Sequence, residues 1–506
     1  MIKLSVMILS VRKISVRNLL LRTFTAFAIL ALPVAQVQAQ SILRDAETEA
    51  FLRHVSEPIF LAAGLTPSSV KIYLLNDKSL NAFVTGGQNI FLHSGLIIAS
   101  DDIDQLLGVI AHETGHIAGG HLSRIGEAAS TAGNISIMSM VLGAAAILAG
   151  GGDAGMGILM AGQSVAQRQF LSYSRVQESS SDQAGARYLT ESGISGRGLV
   201  EFFDKLRDQE VMAQVRQDPY VRSHPLNRTR ILALEQEVTT SPFYNTPPNA
   251  ENNEAFNRIK AKLSGYLDKP AQTLRKYPLN DTSISARYSR VYAYHKALEW
   301  DLALAETEEL LKVEPNNPFF YEIKGQVLFE NGKVLDSLPV FEQATKLAPN
   351  EPLVATALGQ AMVSLEDETM MKRAIPILED AVRQDSGNSF AWFNLAKAYS
   401  WTGDEAKASL ATAERFYAIG RAGQAVMHAN RALETLKVGT PEWLRAQDIL
   451  FVSEEAAARE KKREKRRRLG LDENGNGFRI TRGEEKEEPK KTALDKYRDQ
   501  LADKPE

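Results

Sequence analysis

Apolar positions recur at helical spacing in two long parts of the chain. Around residues 103–122, leucine and isoleucine stand three or four positions apart after a cluster of aspartates, as expected for an amphipathic helix with an acidic N-terminus. The same spacing returns repeatedly in residues 284–450. Within 81–93, strand-like stretches flank Gly86-Gly87 and predict a hairpin. The pattern therefore predicts a mainly α protein with one small β-hairpin or sheet.

The second part is an array of repeats. The segments KVEPNNP and KLAPNEP carry equivalent prolines, Pro315 and Pro349, which are 34 positions apart. Between them, small and large apolar residues fall where a tetratricopeptide repeat has them in its two helices: Gly325, Leu328, Phe341 and Ala344. Helix pairs of this kind stack into a solenoid that presents a surface for peptides or partner segments. We therefore predict an α-solenoid over 284–450.

One predicted helix carries a metal-binding pattern. Residues 112–116 read His112-Glu113-Thr114-Gly115-His116, which is the HExxH pattern. Two histidines four positions apart lie about 40° apart around a helix axis, so both rings can face one cation while Glu113 activates a water beside it. With 8 histidines in 506 residues, this pattern arises by chance in about one chain in a hundred. Gly115 costs helix stability and indicates close approach of another backbone.

The third ligand of such a site has several candidates. Metzincins place a histidine six positions after the second one, but that position is Leu122 and His121 comes one residue early. If the helix continued, His121 would lie about 140° from His116 and face away from the metal. An acid on a second helix and a later histidine remain. Glu178 and Asp182 are four positions apart, so one can bind the metal while the other orients a histidine ligand.

Composition narrows the remaining chemistry. The chain has no cysteine, so thiol catalysis is excluded and any metal must be held by His, Asp or Glu. Lysine and arginine number 59 against 62 acidic residues, and the net charge of −3 gives no reason to expect nucleic acid as a partner. Hydrophobic residues at 44% and charged residues at 24% are typical of globular proteins.

A chain of 506 residues is too long for one core, so several units are expected. We predict a signal peptide at 1–39, a metallopeptidase domain at 40–240, a linker with the first helices at 241–283, repeats at 284–450 and a charged, disordered tail at 451–506.

The first forty residues are typical of an export signal. Basic residues precede an apolar run at 24–35, and Val37-Gln38-Ala39 supplies small residues for cleavage after Ala39. A single-span anchor is the alternative, but a run of 12 residues interrupted by Pro33 is short against the roughly 20 needed to cross a bilayer. We therefore expect the mature protein to be soluble or peripheral in a compartment outside the cytoplasm.

Two further segments bear on membranes. Residues 461–468 are strongly basic. They indicate either an interaction tail for an anionic membrane surface or a frayed charged helix that runs into disorder, and composition favours the second.

Residues 135–160 are apolar and rich in glycine and alanine but short for a membrane span. We therefore expect two helices over the active site that act as a lid or meet the membrane.

Four segments carry a family resemblance: NAFVTGGQNIFLHSGLI, HETGH, SRVQESSSDQAG and SHPLNRTRI. With the repeats, they resemble the gluzincin peptidases that include HtpX and the CAAX prenyl proteases, and among these the exported branch with a C-terminal repeat domain. The resemblance implies a helical zincin-type metallopeptidase domain followed by the tetratricopeptide solenoid. One departure is Ser181, where the family commonly has a small residue such as alanine.

The resemblance also implies roles for single residues. It implies one zinc ion per chain, bound by His112, His116 and Glu178, with Glu113 as the general base. Asp182 would support the ligands from outside.

Two later residues are also implied. His224 would either stabilise the oxyanion during catalysis or occupy the open coordination position and hold the enzyme off. A structural histidine ahead of Pro225 is the alternative. Arg230 would support the site through a salt bridge.

These expectations combine into an exported, periplasmic zinc-dependent endopeptidase. Its substrates would be misfolded or stalled envelope proteins, including those of the outer membrane, with the repeats as a scaffold for substrates and partners. Further expected contacts are the outer-membrane assembly machinery and a peripheral contact with the membrane. The alternatives are a chaperone or assembly factor whose repeats dominate and whose metal site is latent, and an integral-membrane peptidase.

Overall fold

The computed structural model describes residues 42–124, 152–213, 224, 226 and 228–469, together with separate positions between 130 and 142. The predicted signal peptide and residues 470–506 lie outside this part, and so does most of 135–151 within the predicted lid segment 135–160. Helices dominate the described residues, with one small sheet near the N-terminus, which confirms the predicted fold class.

The sheet has four strands in the order β1-β2-β4-β3. Their bounds are β1 (Ile42–Leu43), β2 (Lys71–Leu75), β3 (Ala82–Thr85) and β4 (Asn89–His93). β2 pairs parallel with β4, and β3 pairs antiparallel with β4, with Phe83 opposite Phe91. Gly86 and Gly87 close the hairpin with φ values of +60° and +98°, which glycine adopts without strain. The predicted hairpin is confirmed, and its strand β3 forms an edge of the sheet.

The helices of the N-terminal half surround this sheet. They are α1 (Ala46–Ala62), α2 (Ser94–Ala99), α3 (Ile103–Ala118), α4 (Gly152–Glu191), α5 (Arg197–Ala213) and α6 (Arg228–Thr239). α3 begins where the Asp102 side chain accepts a hydrogen bond from the Gln105 backbone amide at 3.0 Å. Every residue of α3 from Ile103 to His116 is buried, so this helix is the centre of the N-terminal core.

The C-terminal half is a row of antiparallel helix pairs. Its helices are α7 (Ala250–Leu267), α8 (Pro270–Lys276), α9 (Ile284–Lys296), α10 (Trp300–Val313), α11 (Pro318–Glu330), α12 (Val334–Leu347), α13 (Pro352–Ser364), α14 (Glu368–Gln384), α15 (Ser389–Trp401), α16 (Glu405–Ala418), α17 (Ala422–Thr435) and α18 (Pro441–Arg468). A Cβ at Gly325 of α11 would stand 2.7 Å from Phe341 of α12. Small residues on one helix therefore accept large ones from the next, as the repeat pattern predicts.

Two predicted boundaries change. Phe256, Ile259 and Leu263 of α7 belong to the N-terminal apolar core, so part of the expected linker completes the first domain. The tail predicted to be disordered from residue 451 is helical as far as Arg468. Alanines at 456–458 favour helix, and Glu455 pairs with Arg459 one turn along, so local interactions extend the helix beyond its packed part.

The two halves are joined by the start of α1. Glu47 is 2% exposed and accepts hydrogen bonds from Arg258 (2.8 Å), Lys262 (3.2 Å) and the Tyr288 hydroxyl (2.8 Å). Ala46 packs with Ala344 and Val354 of the repeats. The first helix of the N-terminal domain is therefore held by the C-terminal half.

Within the described residues, no helix is both long enough and apolar enough to cross a membrane.

Candidate metal centre

The site lies where α3 crosses α4. A Cβ at Gly115 would stand 2.9 Å from the Cα and the carbonyl oxygen of Ser181, so only glycine permits this approach of the two backbones. The close approach expected at Gly115 is therefore observed. It places Glu178 and Asp182, one turn apart on α4, directly against the two histidines of α3.

The three predicted ligand side chains face one another. Nε2 of His112 lies 3.1 Å from Nε2 of His116. Each of these nitrogens lies 3.5 Å from an oxygen of Glu178, Oε2 for His112 and Oε1 for His116. All three side chains are buried.

These separations fit a tetrahedral cation. Zinc binds His nitrogen and carboxylate oxygen at about 2.0–2.2 Å, so neighbouring ligand atoms of a tetrahedron stand roughly 3.3–3.6 Å apart. Among the described residues, one group could hold a metal ion, His112, His116, Glu178 and His224, whose ligand atoms lie within 4.8 Å of one another. Two imidazoles and a carboxylate are a donor set that zinc accepts readily.

Glu113 lies beside this cluster with its carboxylate fully buried. Neither of its oxygens receives a hydrogen bond within the described part of the chain, although Nε2 of His224 lies 3.4 Å from Oε1. A buried acceptor in this position suits a group that takes a proton from water at the neighbouring cation.

A bidentate ion pair supports the cluster from outside. Nε and one terminal nitrogen of Arg230 each donate to an oxygen of Asp182 at 2.8 Å, and the other terminal nitrogen lies 3.0 Å from Glu178 Oε2. Oδ1 of Asp182 also lies 3.0 Å from Nδ1 of His112. Asp182 and Arg230 therefore fix the orientation of two of the predicted ligands, His112 and Glu178.

His224 approaches from the loop before α6. Its Nδ1 lies 3.3 Å from Nε2 of His112 and 3.2 Å from Oε2 of Glu178. The side chain is 7% exposed. The predicted loop histidine thus stands next to the ligand atoms, at the side where a fourth ligand would bind.

His121 lies beside the second histidine of the HExxH pattern. α3 ends at Ala118, and Gly120 turns the chain with a φ of +61°. His121 is consequently buried, with its Nδ1 3.1 Å from Nδ1 of His116 and 3.2 Å from Oγ of Ser181. The condition for its facing away, a helix that continues, is not met, and His121 is not among the described residues that could hold a metal ion. The Gly119-Gly120 pair, a common helix stop, was the signal in the sequence.

Burial and neighbouring charges set the protonation of the cluster. Burial raises the pKa of Glu113, and His224 and His112 oppose this only in part. Burial also acts to raise the pKa of Glu178, but His224 and His112 outweigh it and hold that pKa well below its usual range. Burial lowers the pKa of His112, yet hydrogen bonds to Asp182 and Glu178 raise it well above the ordinary value. A metal must displace the His112 proton, so its binding is coupled to pH.

Comparison with known proteins assigns the domain. Residues 44–238 match the model of peptidase family M48, and they include both crossing helices and the His224 loop. This segment is a peptidase family M48 domain. The protein is therefore a metallopeptidase, and the M48 domain is followed by the helical repeats.

Several known proteins are similar over most of the chain. The beta-barrel assembly-enhancing protease of Escherichia coli (strain K12) is 24% identical over 375 residues, covering 73% of this chain and 75% of that protein. The protein of the same description from Yersinia pestis is 23% identical over 421 residues, covering 81% and 85%. Among solved structures, YrrB, described as a TPR protein with an unusual peptide-binding site, matches 36% of this chain and 94% of its own at 20% identity, with a TM-score of 0.29.

Proposed function

We propose that the protein is an exported zinc-dependent endopeptidase that degrades misfolded or stalled proteins of the cell envelope. The observation that carries this proposal is the convergence of His112, His116 and Glu178 at tetrahedral spacing beside the buried carboxylate of Glu113. Export rests on the signal-like sequence at 1–39.

The roles of the residues follow from their positions. His112, His116 and Glu178 would hold zinc, which supplies Lewis acidity for the scissile carbonyl and for the attacking water. Glu113 takes the proton from the water and delivers it to the leaving amine, and its raised pKa makes it the stronger base. Asp182 and Arg230 keep His112 and Glu178 in place while this proton moves.

The edge of the sheet offers a place for the substrate backbone. β3 pairs with β4 along one side, and no strand of the described chain pairs with its other side. An extended peptide can add to such an edge by backbone hydrogen bonds, with little dependence on side chains. This mode suits unfolded substrates of varied sequence. The similarity to proteases described as beta-barrel assembly-enhancing supports outer-membrane proteins as substrates and the outer-membrane assembly machinery as a partner.

We further propose that His224 keeps the enzyme inactive until substrate binds. Its Nδ1 is as close to the His112 and Glu178 ligand atoms as these are to each other, which supports the role of a fourth ligand. In that position it would exclude the attacking water. The rival role is stabilisation of the oxyanion, for which His224 would have to move away from the ligands.

The test is cleavage of casein by the purified mature protein, with zinc content measured on each variant. Wild type, Glu113→Gln and His224→Ala are compared side by side. Glu113→Gln is expected to keep zinc and lose cleavage, because its amide cannot take a proton. His224→Ala is expected to cleave faster than wild type if His224 is a gate, and more slowly if it stabilises the oxyanion.

A second assay separates the endopeptidase from the chaperone alternative. If Glu113→Gln restores envelope integrity to a deletion strain as well as wild type does, the repeats carry the biological effect and the proposal of a protease function fails. If none of the three proteins cleaves casein although zinc is bound, this result would also favour the chaperone alternative. Release of wild type from membranes by high salt would argue against an integral-membrane peptidase.

A further inference from the structure

Three aromatic side chains form a row across the sheet. The ring centroids of Tyr73 in β2 and Phe91 in β4 lie 5.0 Å apart, and those of Phe91 and Phe83 in β3 lie 5.1 Å apart. The ring planes of the two pairs differ by 20° and 8°, so the three rings are stacked side by side. We call Tyr73, Phe91 and Phe83 the aromatic row. Phe83 is its last member, because β3 is an edge strand of the sheet.

The aromatic row lies on the face of the sheet that points away from the core. Side chains along a strand alternate between the two faces. Ala82, Ile90 and Leu92 are 0% exposed and belong to the N-terminal apolar core. Phe83 and Phe91 alternate with these residues along β3 and β4, and they are only half-buried. Part of each ring is therefore accessible from outside.

The open side of β3 has a defined hydrogen-bonding pattern. The backbone amide of His93 donates to the carbonyl oxygen of Asn81 at 2.9 Å, so these two residues are a hydrogen-bonded pair of the antiparallel ladder. Hydrogen-bonded and non-hydrogen-bonded pairs alternate along such a ladder. Phe83 therefore uses its backbone groups towards β4, whereas those of Ala82 and Val84 point to the open edge. An added strand would form its hydrogen bonds with Ala82 and Val84.

This pattern determines what lies opposite Phe83. Antiparallel pairing is slightly more stable per residue than parallel pairing, and in an antiparallel strand the residue opposite Phe83 belongs to a non-hydrogen-bonded pair. The Cα atoms of such a pair stand about 4.5 Å apart, so their side chains come closest to each other. The added side chain would lie on the same face as Phe83, at about the spacing that separates the rings of the aromatic row. β3 also lies against α3, so the added strand would run beside the helix that carries the HExxH pattern.

We propose that Phe83 gives the peptidase a preference for substrates with an aromatic residue at the position that pairs with it. The ring of this residue would extend the aromatic row by one more stacked pair, whereas a small polar side chain would leave Phe83 in contact with water. Pairing through the backbone leaves the other substrate positions unrestricted. The inference rests on the proposed peptidase function and on the edge of β3 as the place of the substrate backbone. Because folded proteins bury most of their phenylalanine side chains, the preference would select unfolded chains.

A purely structural role of the aromatic row is the alternative. Cross-strand aromatic pairs stabilise a sheet wherever they occur, and Tyr73, two strands away from the open edge, can contribute only in this way. A structural role predicts the same effects for replacement of either end of the row. Contact with the substrate predicts a change of preference at Phe83 alone. Tyr73 is therefore the matched control for Phe83.

The experiment is cleavage of casein by the full mature protein, with every cleaved bond identified by mass spectrometry. Wild type is compared with Phe83→Val and Tyr73→Val, because valine favours strand structure but has no ring. Zinc content and urea denaturation show whether each protein is folded. Binding is measured separately by fluorescence anisotropy on Glu113→Gln and Glu113→Gln/Phe83→Val. The probes are three peptides that differ only in having Phe, Leu or Ser at the preferred position.

Wild type and Tyr73→Val are expected to cleave bonds that have an aromatic residue at one fixed distance, and Phe83→Val is expected to lose this enrichment. Glu113→Gln should bind the Phe peptide about threefold to tenfold more tightly than the Ser peptide, with the Leu peptide between them. In Glu113→Gln/Phe83→Val this difference should fall below about twofold.

The outcomes separate this inference from the proposed function. If neither wild type nor His224→Ala cleaves casein, the proposed function fails and the inference fails with it. If casein is cleaved without aromatic enrichment, if Phe83→Val keeps the enrichment, or if the Leu peptide binds as tightly as the Phe peptide, the inference alone is overturned. Equal loss of enrichment in Phe83→Val and Tyr73→Val would also overturn it, because the row would then act only through the stability of the sheet.

Discussion

Nδ1 of His116 and Nδ1 of His121 lie 3.1 Å apart, so the second histidine of the HExxH pattern is held by a third histidine from the turn that follows. The first histidine of the pattern is held differently, by the carboxylate of Asp182. If His116 binds the metal through Nε2, its Nδ1 carries the proton and donates it to His121. The two imidazoles that we propose as ligands therefore have a neutral and an anionic partner, so they would differ in basicity.

Replacement of His121 tests this relationship. His121→Phe preserves a ring but removes the acceptor, so His116 loses its orientation and zinc affinity should fall about 10-fold to 100-fold. The measurement is the zinc dissociation constant from chelator competition. His121→Asn, which can still accept a hydrogen bond, should recover part of the affinity. His54→Phe at an exposed position is the control. Unchanged affinity in His121→Phe would mean that the contact does not orient the ligand.

Arg230 should be more important for its geometry than for its charge. Arg230→Lys keeps a cation but cannot donate two parallel hydrogen bonds to Asp182 while it contacts Glu178. We expect a loss of zinc affinity of about tenfold or more, with the fold intact by circular dichroism. Arg228→Lys, two positions earlier and exposed, should leave the affinity unchanged. Equal affinities of the two variants would show that charge alone suffices at position 230.

Gly115 should not tolerate even one additional carbon atom. In Gly115→Ala the new Cβ would meet the Ser181 backbone at 2.9 Å, so α3 and α4 would have to separate. The expected loss is about 1–3 kcal/mol of unfolding free energy, with weaker zinc binding because Glu178 moves away from the histidines. Urea denaturation measures the first effect. Gly423→Ala, whose Cβ would have no neighbour closer than 3.6 Å, is the control and should be neutral or slightly stabilising. A neutral result at position 115 would contradict the tight crossing.

Asp104 should make the protein less stable as pH rises. Burial, with Asp102 and Glu201 nearby, raises the pKa of Asp104 to about 7. The folded protein then keeps a proton that the unfolded chain releases above about pH 4, so stability falls between about pH 4 and 7 and stays low above that range. Asp104→Asn should remove this loss and be more stable than wild type at pH 8 by about 2 kcal/mol.

The check is urea denaturation of both proteins at pH 5 and pH 8. Asp101→Asn is the matched control with the opposite sign, because a hydrogen bond from Lys205 lowers the pKa of Asp101 and its charged form favours folding. If the unfolding free energies of wild type and Asp104→Asn change with pH in the same way, Asp104 is not the cause of the loss of stability.

Local rules were sufficient for much of this molecule. The HExxH spacing, the Glu178 and Asp182 pair and the 34-residue repeat are all periodic features, and helical geometry alone converts them into neighbouring side chains. Gly115 alone predicts the close approach of another backbone, because a glycine inside a helix costs helix stability. The features that local rules left open depend on where helices end. His121 lies against His116 because α3 ends at Ala118, and α18 continues to Arg468 within the segment expected to be a charged, disordered tail.

Other features lay beyond any local rule. The binding of Glu47 by Arg258, Lys262 and Tyr288 joins residues more than 200 positions apart, and no periodicity links them. The assignment of α7 to the N-terminal core is of the same kind. Such contacts depend on the packing of complete domains, so they become visible only in three dimensions.

The same contacts determine the order in which the protein can assemble. A chain synthesised from its N-terminus delivers α1 first, but the partners of Glu47 at 258, 262 and 288 arrive much later, and Asp385, which pairs with Arg44 at 2.7 Å, arrives later still. Contacts of such long range form slowly because a large loop must close first. The apolar side of α1 can therefore pack in the N-terminal core as soon as α7 is present, whereas the charged residues at its start find their last partners only when the repeats have been delivered.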